Sequence, residues 1–176
     1  RAFCGRAGVR GVWWAGRQEG VARHRPATLR FTECRTPASA MIGGPGQGFR
    51  IAMSVLDVFR STVAAAALGF ARRALDEALS RVTSRQVQGA PLFDLQMVQG
   101  HIADMALDVD AAALLVYRAA WTKDSGAARV TREAAMATPF STDQAQQVIA
   151  QAGPLPGGGG VSQGSHVPLT HPYQPT

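Results

Sequence analysis

Apolar residues return every three to four positions over a long central stretch of this 176-residue chain. From Gly46 to Thr138 that stretch holds a single proline, Pro91, and the other nine prolines lie outside it. Proline removes a backbone donor and clashes inside a helix, whereas Ala, Leu, Arg, Glu and Gln favour helix. The pattern therefore predicts two long helices joined at Gly89-Ala90-Pro91. The first opens at Gln47 or Phe49 and runs to about Arg85. Its buried stripe is read as Ile51, Val55, Val58 or Phe59, Val63, Leu68, Leu75, Leu79 and Val82. On its wet side Arg72–Asp76, Arg73–Glu77 and Glu77–Arg81 stand at i,i+4. A rod of this length, on the order of 55 Å at roughly 1.5 Å per residue, needs partners along most of it.

The second helix is expected from about Leu92 to Lys123, burying Leu95, Val98, Ile102, Met105, Val109, Ala112, Val116 and Ala119. Small residues dominate its later half, so a neighbouring helix can approach closely. Asp124-Ser125-Gly126 breaks it. A third helix is expected from about Ala127 to Ala152, and Pro139 within it predicts a kink or a late start near Ser141, which forms an S-x-x-Q capping box with Gln144. Before the helices, Ala27 to Thr32 reads as a strand leaving a β layer, and Ile42 to Phe49 as a glycine-rich loop. Residues 1–25 carry neither period and read as irregular. After Gly153 come five prolines, four consecutive glycines and no charged residue, which reads as an unstructured tail.

The fold class expected is mainly α: an antiparallel helical bundle with its fourth helix missing and a short β remnant at the N-terminus. The organisation is 1–41 basic segment and β remnant, 42–152 bundle, 153–176 Gly/Pro-rich tail. The length suits one domain or a piece of a larger protein, and the start at Arg1 without Met fits a piece.

Charge changes the picture at one end only. Residues 1–35 hold eight arginines against Glu19 and Glu33, so the whole net charge of +6 lies there. Residues 36–176 hold ten basic and ten acidic side chains and are neutral. An arginine-rich arm around Trp13 and Trp14 suits phosphate and base stacking, which keeps a nucleic-acid-binding arm as one alternative reading. The apolar runs Ser61–Ala71 and Ala111–Tyr117 are closed by Arg60, Arg72, Asp110 and Arg118, so no membrane span is expected. With no secretory h-region in 1–35, the location expected is cytoplasmic. Cys4 and Cys34 have no ligand cluster or close-spaced partner.

The candidate chemistry is sparse. Gly44-Pro45-Gly46-Gln47-Gly48 has G-x-G spacing, but a dinucleotide fingerprint needs a strand before it and an acid at a second strand end. A flexible hinge fits better. His101, Asp104 and Asp108 share a helix face at i, i+3, i+7, yet facing helices supply only Glu133, so a polar face meeting Arg72, Arg73 or solvent is preferred to a metal site. Asp57 and Arg60 read as a surface pair worth about 0.2–0.5 kcal/mol. Arg85 follows Arg81 at i+4, a repulsive spacing that either a phosphate or solvent relieves. From spacing alone a helical domain follows, and no reaction. A dimerising helical interaction module is a further alternative.

Longer stretches of text add a resemblance. Phe31-Thr32-Glu33-Cys34-Arg35-Thr36-Pro37, Ile42-Gly43-Gly44-Pro45-Gly46-Gln47-Gly48-Phe49, Leu56-Asp57-Val58-Phe59-Arg60 and Ser84-Arg85-Gln86-Val87-Gln88-Gly89-Ala90-Pro91-Leu92 leading to Gln96 follow in order. Ile102-Ala103-Asp104-Met105, Tyr117-Arg118-Ala119-Ala120-Trp121 and Gly157-Gly158 complete the set. About two-thirds of the chain resembles the acyl-CoA dehydrogenase family, at the point where its last β-domain strand joins the C-terminal four-helix bundle. The resemblance implies FAD as cofactor, an acyl-CoA thioester as substrate, a homodimer or homotetramer, an electron-transfer acceptor, and no nucleic acid. It also implies roles. Arg85 stands where the family contacts the FAD phosphates across the dimer, Gln96 where a glutamine contacts the flavin, and Gly157 and Gly158 where backbone approaches the FAD pyrophosphate. Asp57 and Arg60 stand where the CoA portion is contacted.

The chain also departs from the pattern. Gln88 replaces a phenylalanine that packs on flavin. Pro154 replaces a glutamine, and Pro156 precedes the glycine pair. No Tyr-Glu-Gly-Thr-Ser-Glu-like motif follows Gly158, and at the alternative base position in the first helix stands Phe59. No catalytic residue is therefore assigned, and the polypeptide alone is expected to be catalytically silent. Frame shifts at both ends of the coding sequence would produce such text.

Overall fold

The computed structural model of the chain describes residues 2–3, 12–15 and 28–153, with side-chain surroundings from Arg30 onward. The chain divides between Ser54 and Val55 into two compact units. In the first unit β1 (Ala2–Phe3) pairs antiparallel with β4 (Met41–Ile42), and β2 (Val12–Ala15) with β3 (Thr28–Phe31), setting Trp13 opposite Arg30. The strand expected at Ala27–Thr32 is thus β3. The reading of residues 1–25 as irregular is corrected by β1 and β2: Val12-Trp13-Trp14 lacks alternation, but valine and tryptophan suit a pleated surface and pair regardless. In the glycine-rich loop, Gly43 sits at φ +70, and a Cβ there would come within 2.8 Å of Ile51 Cδ1. At that φ any other side chain would be strained, so glycine suits the entry to the first helix. The Gly44 N–H donates to Gln47 Oε1 at 3.2 Å and ties the loop to the helix start.

The second unit holds most of α1 (Gly48–Ser84, 37 residues), α2 (Gln96–Asp124) and α3 (Thr131–Ala152). Strands β5 (Gln86–Val87) and β6 (Ala90–Pro91) pair across Gln88-Gly89, both at positive φ (53° and 85°). That is a two-residue turn of the I′ kind, the one whose twist matches antiparallel strands. A 3-10 turn at Leu92–Asp94 leads into α2.

The seam of α1 keeps Leu68 and Val82 of the one expected, with Ile51 half-buried, and otherwise differs. Val55, Val58, Phe59, Val63 and Leu79 are exposed, and Leu75 is half-buried. The buried positions are Ala64, Ala67, Leu68, Ala71, Ala74, Ala78 and Val82, a 3.6-residue repeat written mainly in alanine. Counting large apolar side chains selected the outer face. The small ones are the buried ones, and they form the core with α2 and α3. The abundance of apolar residues on two faces also gives α1 an 18-residue window of mean hydropathy 1.6, long and apolar enough to cross a bilayer by length and composition alone. A bundle helix passes the same test. The closing charges at Arg60 and Arg72 shorten the run without removing that window.

The stripe of α2 is as expected except for Leu95, which is exposed ahead of the helix: Val98, Ile102, Met105, Val109, Ala112, Val116 and Ala119 are buried. The third helix starts at Thr131 and runs through Pro139 without restarting, so the Ser141–Gln144 capping box does not form. Ser141 is fully buried and its hydroxyl has no partner. The turn around the proline is held by hydroxyls: Thr138 Oγ1 donates to the Ala134 carbonyl at 2.8 Å and Thr142 Oγ1 to the Thr138 carbonyl at 2.9 Å.

Candidate functional site

The hairpin brings the C-terminal end of α1 and the N-terminal end of α2 to one end of the bundle. The Arg85 N–H donates to the Arg81 carbonyl at 3.0 Å, and the Leu92 N–H donates to the Arg85 carbonyl at 2.7 Å. Arg85 is therefore fixed at the hairpin base by backbone bonds on both sides, with an exposed side chain. Arg81, in the last turn of α1, is exposed too. Gln96 opens α2 and is exposed, one residue after Leu95, whose carbonyl accepts from both Val98 N (2.9 Å) and Gln99 N (3.1 Å). Two arginines at the same end of the hairpin as a helix N-terminus, whose first N–H groups carry partial positive charge, are the residue types that suit an anion, phosphate above all. Asp94 is the acid that joins them in sequence there. The turn residue Gln88, which departs from the family's phenylalanine, is exposed. Gly157 and Gly158 lie outside the described residues.

Asp57 and Arg60 occupy a different setting from the surface pair expected. Asp57 is buried, and its Oδ2 accepts from Thr131 Oγ1 at 2.9 Å and from Arg129 Nε and Nη2 at 3.4 Å. It is an α1 carboxylate that fastens the first turn of α3, where negative charge also meets a helix N-terminus favourably. Arg60 is half-buried, and its carbonyl accepts from Thr138 Oγ1 at 3.1 Å. Spacing could not pair residues 72 apart in sequence. The one available signal was that Asp57 is the only charged residue from Ile51 to Phe59. Replacing Asp57 with alanine is expected to lower stability by about 1–3 kcal/mol and to speed amide exchange at residues 131–135. Unchanged exchange there would remove the fastening role.

Other expected contacts are reassigned. Arg73 pairs with Glu77 as read. Arg72 turns away from Asp76: its Nη1 lies 3.4 Å from Tyr117 Oη and its guanidinium 5.8 Å from the ring centroid, linking α1 to α2 by a hydrogen bond and a cation–π contact. His101 and Asp104 are exposed. Asp108 meets α3, not Arg72 or Arg73. The Gln144 amide, in the orientation its neighbours require, donates to Asp108 Oδ2 at 2.9 Å and Oδ1 at 3.1 Å. The Phe59 ring is exposed on α1 and accepts no proton.

With this geometry in hand, comparison with known proteins is specific. The C-terminal domain of acyl-CoA dehydrogenase matches residues 46–172. Human mitochondrial short-chain specific acyl-CoA dehydrogenase is 42% identical over 141 residues, which is 80% of this chain and 34% of that protein. Butyryl-CoA dehydrogenase from Megasphaera elsdenii superposes with a TM-score of 0.90 at 35% identity, over 96% of this chain and 44% of that one. A structure described as the electron transferring flavoprotein of Acidaminococcus fermentans gives a TM-score of 0.90 at 34% identity, over 96% of this chain and 44% of that one. The chain thus spans about a third of the length of the curated relatives it matches.

Proposed function

We infer the function from one premise: the chain belongs to the acyl-CoA dehydrogenase family and carries that family's C-terminal helical domain. It serves as the helical wall of an FAD site in an enzyme oxidising acyl-CoA thioesters. Arg85 holds the FAD phosphates, Gln96 contacts the flavin, and Gly157 and Gly158 let backbone approach the pyrophosphate. Arg60 faces the CoA portion of the substrate. Asp57, already engaged by Thr131 and Arg129, shapes that region by holding α3. Bound FAD would supply the acceptor for the substrate's β-hydride. The work partners are a second copy of the chain, across whose boundary Arg85 reaches, and a protein electron acceptor.

One observation carries the reading: Arg81 and Arg85 sit at the same end of the hairpin as the N-terminus of α2, with Gln96 as its first residue. That arrangement fits a pyrophosphate by charge and by donor type. The chain supplies no carboxylate in either place the family keeps its base, so the α-proton has no acceptor and the polypeptide alone does not turn over acyl-CoA.

The test is retention of FAD by the purified chain, read by flavin absorbance after dialysis. Binding is expected, and Arg85→Ala should weaken it about 10-fold or more, as loss of a charge-assisted hydrogen bond of roughly 1.5–3 kcal/mol requires. Equal retention by the variant would remove Arg85 from the site. Acyl-CoA-dependent dye reduction by the chain would overturn its catalytic silence.

A further inference from the structure

We propose that Thr138 is a positioning residue for the acyl-CoA site: its hydroxyl, standing on α3, fixes the turn of α1 that carries Arg60. This deepens the proposed function and rests on its assignment of Arg60 to the CoA portion. Thr138 Oγ1 donates to the Arg60 carbonyl at 3.1 Å, across from one helix to the other. The same hydroxyl lies 2.8 Å from the Ala134 carbonyl, so its one proton is shared between the two helices in a three-centre bond. A carbonyl inside a helix has a second lone pair beyond the one its own i+4 amide uses, and Thr138 takes it without breaking α1. Nearly one turn earlier, Asp57 Oδ2 accepts from Thr131 Oγ1 at 2.9 Å and from Arg129 Nε at 3.4 Å. The turn 57–60 is thus held from α3 at both ends.

For Arg60 the hold from α3 matters in two ways. The first is orientation. Onward from this turn the buried positions of α1 are Ala64, Ala67, Ala71 and Ala74, and a seam of single methyls interlocks little. Directional bonds then fix how far α1 is turned against α3. A small rotation about the helix axis moves the tip of a long arginine further than it moves the backbone. The second is charge. Asp57 stands three residues before Arg60, a spacing at which a carboxylate can neutralise an arginine. Instead α3 draws its Oδ2 to Thr131 and Arg129, and among the described residues no acid forms an ion pair with Arg60. Arg60 is half-buried, where solvent screens its charge less than at an open surface. Its guanidinium is left to meet an anion, and a phosphate of CoA is the anion the proposed substrate brings. Thr142, one turn on, has no such part: its Oγ1 donates only within α3, to the Thr138 carbonyl at 2.9 Å and the Pro139 carbonyl at 3.0 Å.

Calorimetric titration of CoA into the whole chain tests the role, with amide exchange over residues 60–65 as a second readout. Thr138→Val keeps the branched shape and deletes the hydroxyl. It is expected to weaken CoA binding about 3- to 10-fold, as loss of one hydrogen bond allows, and to speed exchange over 60–65. Thr138→Ser keeps the hydroxyl and should bind within about 2-fold of wild type. Thr142→Val removes the same group from a position bonded only inside α3 and should move neither readout. Matching losses in Thr138→Val and Thr142→Val are what a merely structural threonine would give, and they overturn the positioning role. So does a Thr138→Val chain with unchanged affinity and exchange, or a Thr138→Ser chain that binds no tighter than Thr138→Val. Wild type that takes up no CoA, or an affinity indifferent to Arg60→Ala, sinks the assignment of Arg60 to CoA and the substrate part of this proposal with it. Exchange over 60–65 then still decides whether Thr138 fixes the turn.

Discussion

Replacing Ala78 with leucine is expected to destabilise the bundle by about 1–3 kcal/mol, while Val63→Ala, which deletes two methyl groups from a larger apolar side chain, leaves stability within about 0.5 kcal/mol. Ala78 is 0% exposed and belongs to the core shared by α1, α2 and α3. Extra methylenes there must push a neighbouring helix or adopt strained rotamers, since close-packed interiors hold no spare volume. Val63 is 51% exposed, and alanine returns some helix propensity. Urea titrations of both variants, followed by circular dichroism, decide the matter through their midpoints at equal m. Should Val63→Ala prove the costlier change, the alanine seam is wrong and the stripe of large residues is the buried one.

That contrast also marks where sequence reasoning succeeded. On α2 the large apolar residues are the buried ones, so period alone found Val98 through Val116. On α1 large and small apolar residues alternate around the rod, and size misled: the seam is Ala64, Ala67, Ala71, Ala74 and Ala78, while Phe59, Val63 and Phe70 remain outside. The hairpin was legible because Gly89 and Pro91 constrain backbone independently of any partner. Asp57 was not, because its partners Thr131 and Arg129 lie on a helix that only tertiary structure brings near. The proposed roles of Arg85 and Gln96 were legible as a resemblance and not as a spacing. Hydrophobic period says nothing about which exposed arginine meets a phosphate.

Outward apolar faces on α1 and α2 connect these points to function. Phe59, Val63 and Phe70 on one rod and Leu107, Leu114 and Trp121 on the other present more exposed large apolar surface than isolated residues on a monomer explain. On the proposed reading of the domain as one wall of a cofactor site, such surfaces are where further walls would pack.

The third helix offers the opposite kind of change, one that strengthens. Pro139→Ala is expected to raise stability by roughly 2 kcal/mol, since proline in a helix interior costs about 3 kcal/mol relative to alanine, and about 0.4–1 kcal/mol is returned by its stiffening of the unfolded chain. For a chain of this size the gain corresponds to a melting temperature higher by about 4–8 °C. The helix is continuous from Thr131 to Ala152 despite the proline, so its backbone is already close to the geometry alanine prefers. Pro139 itself is exposed, and the substitution leaves no cavity. What it adds is an N–H that bonds the Ala135 carbonyl, one turn back. Calorimetry of the variant reads the gain directly. A fall in melting temperature would mean that the backbone Pro139 imposes is required to seat Ser141 and Ala145 against the core, with the hydroxyls of Thr138 and Thr142 holding that turn.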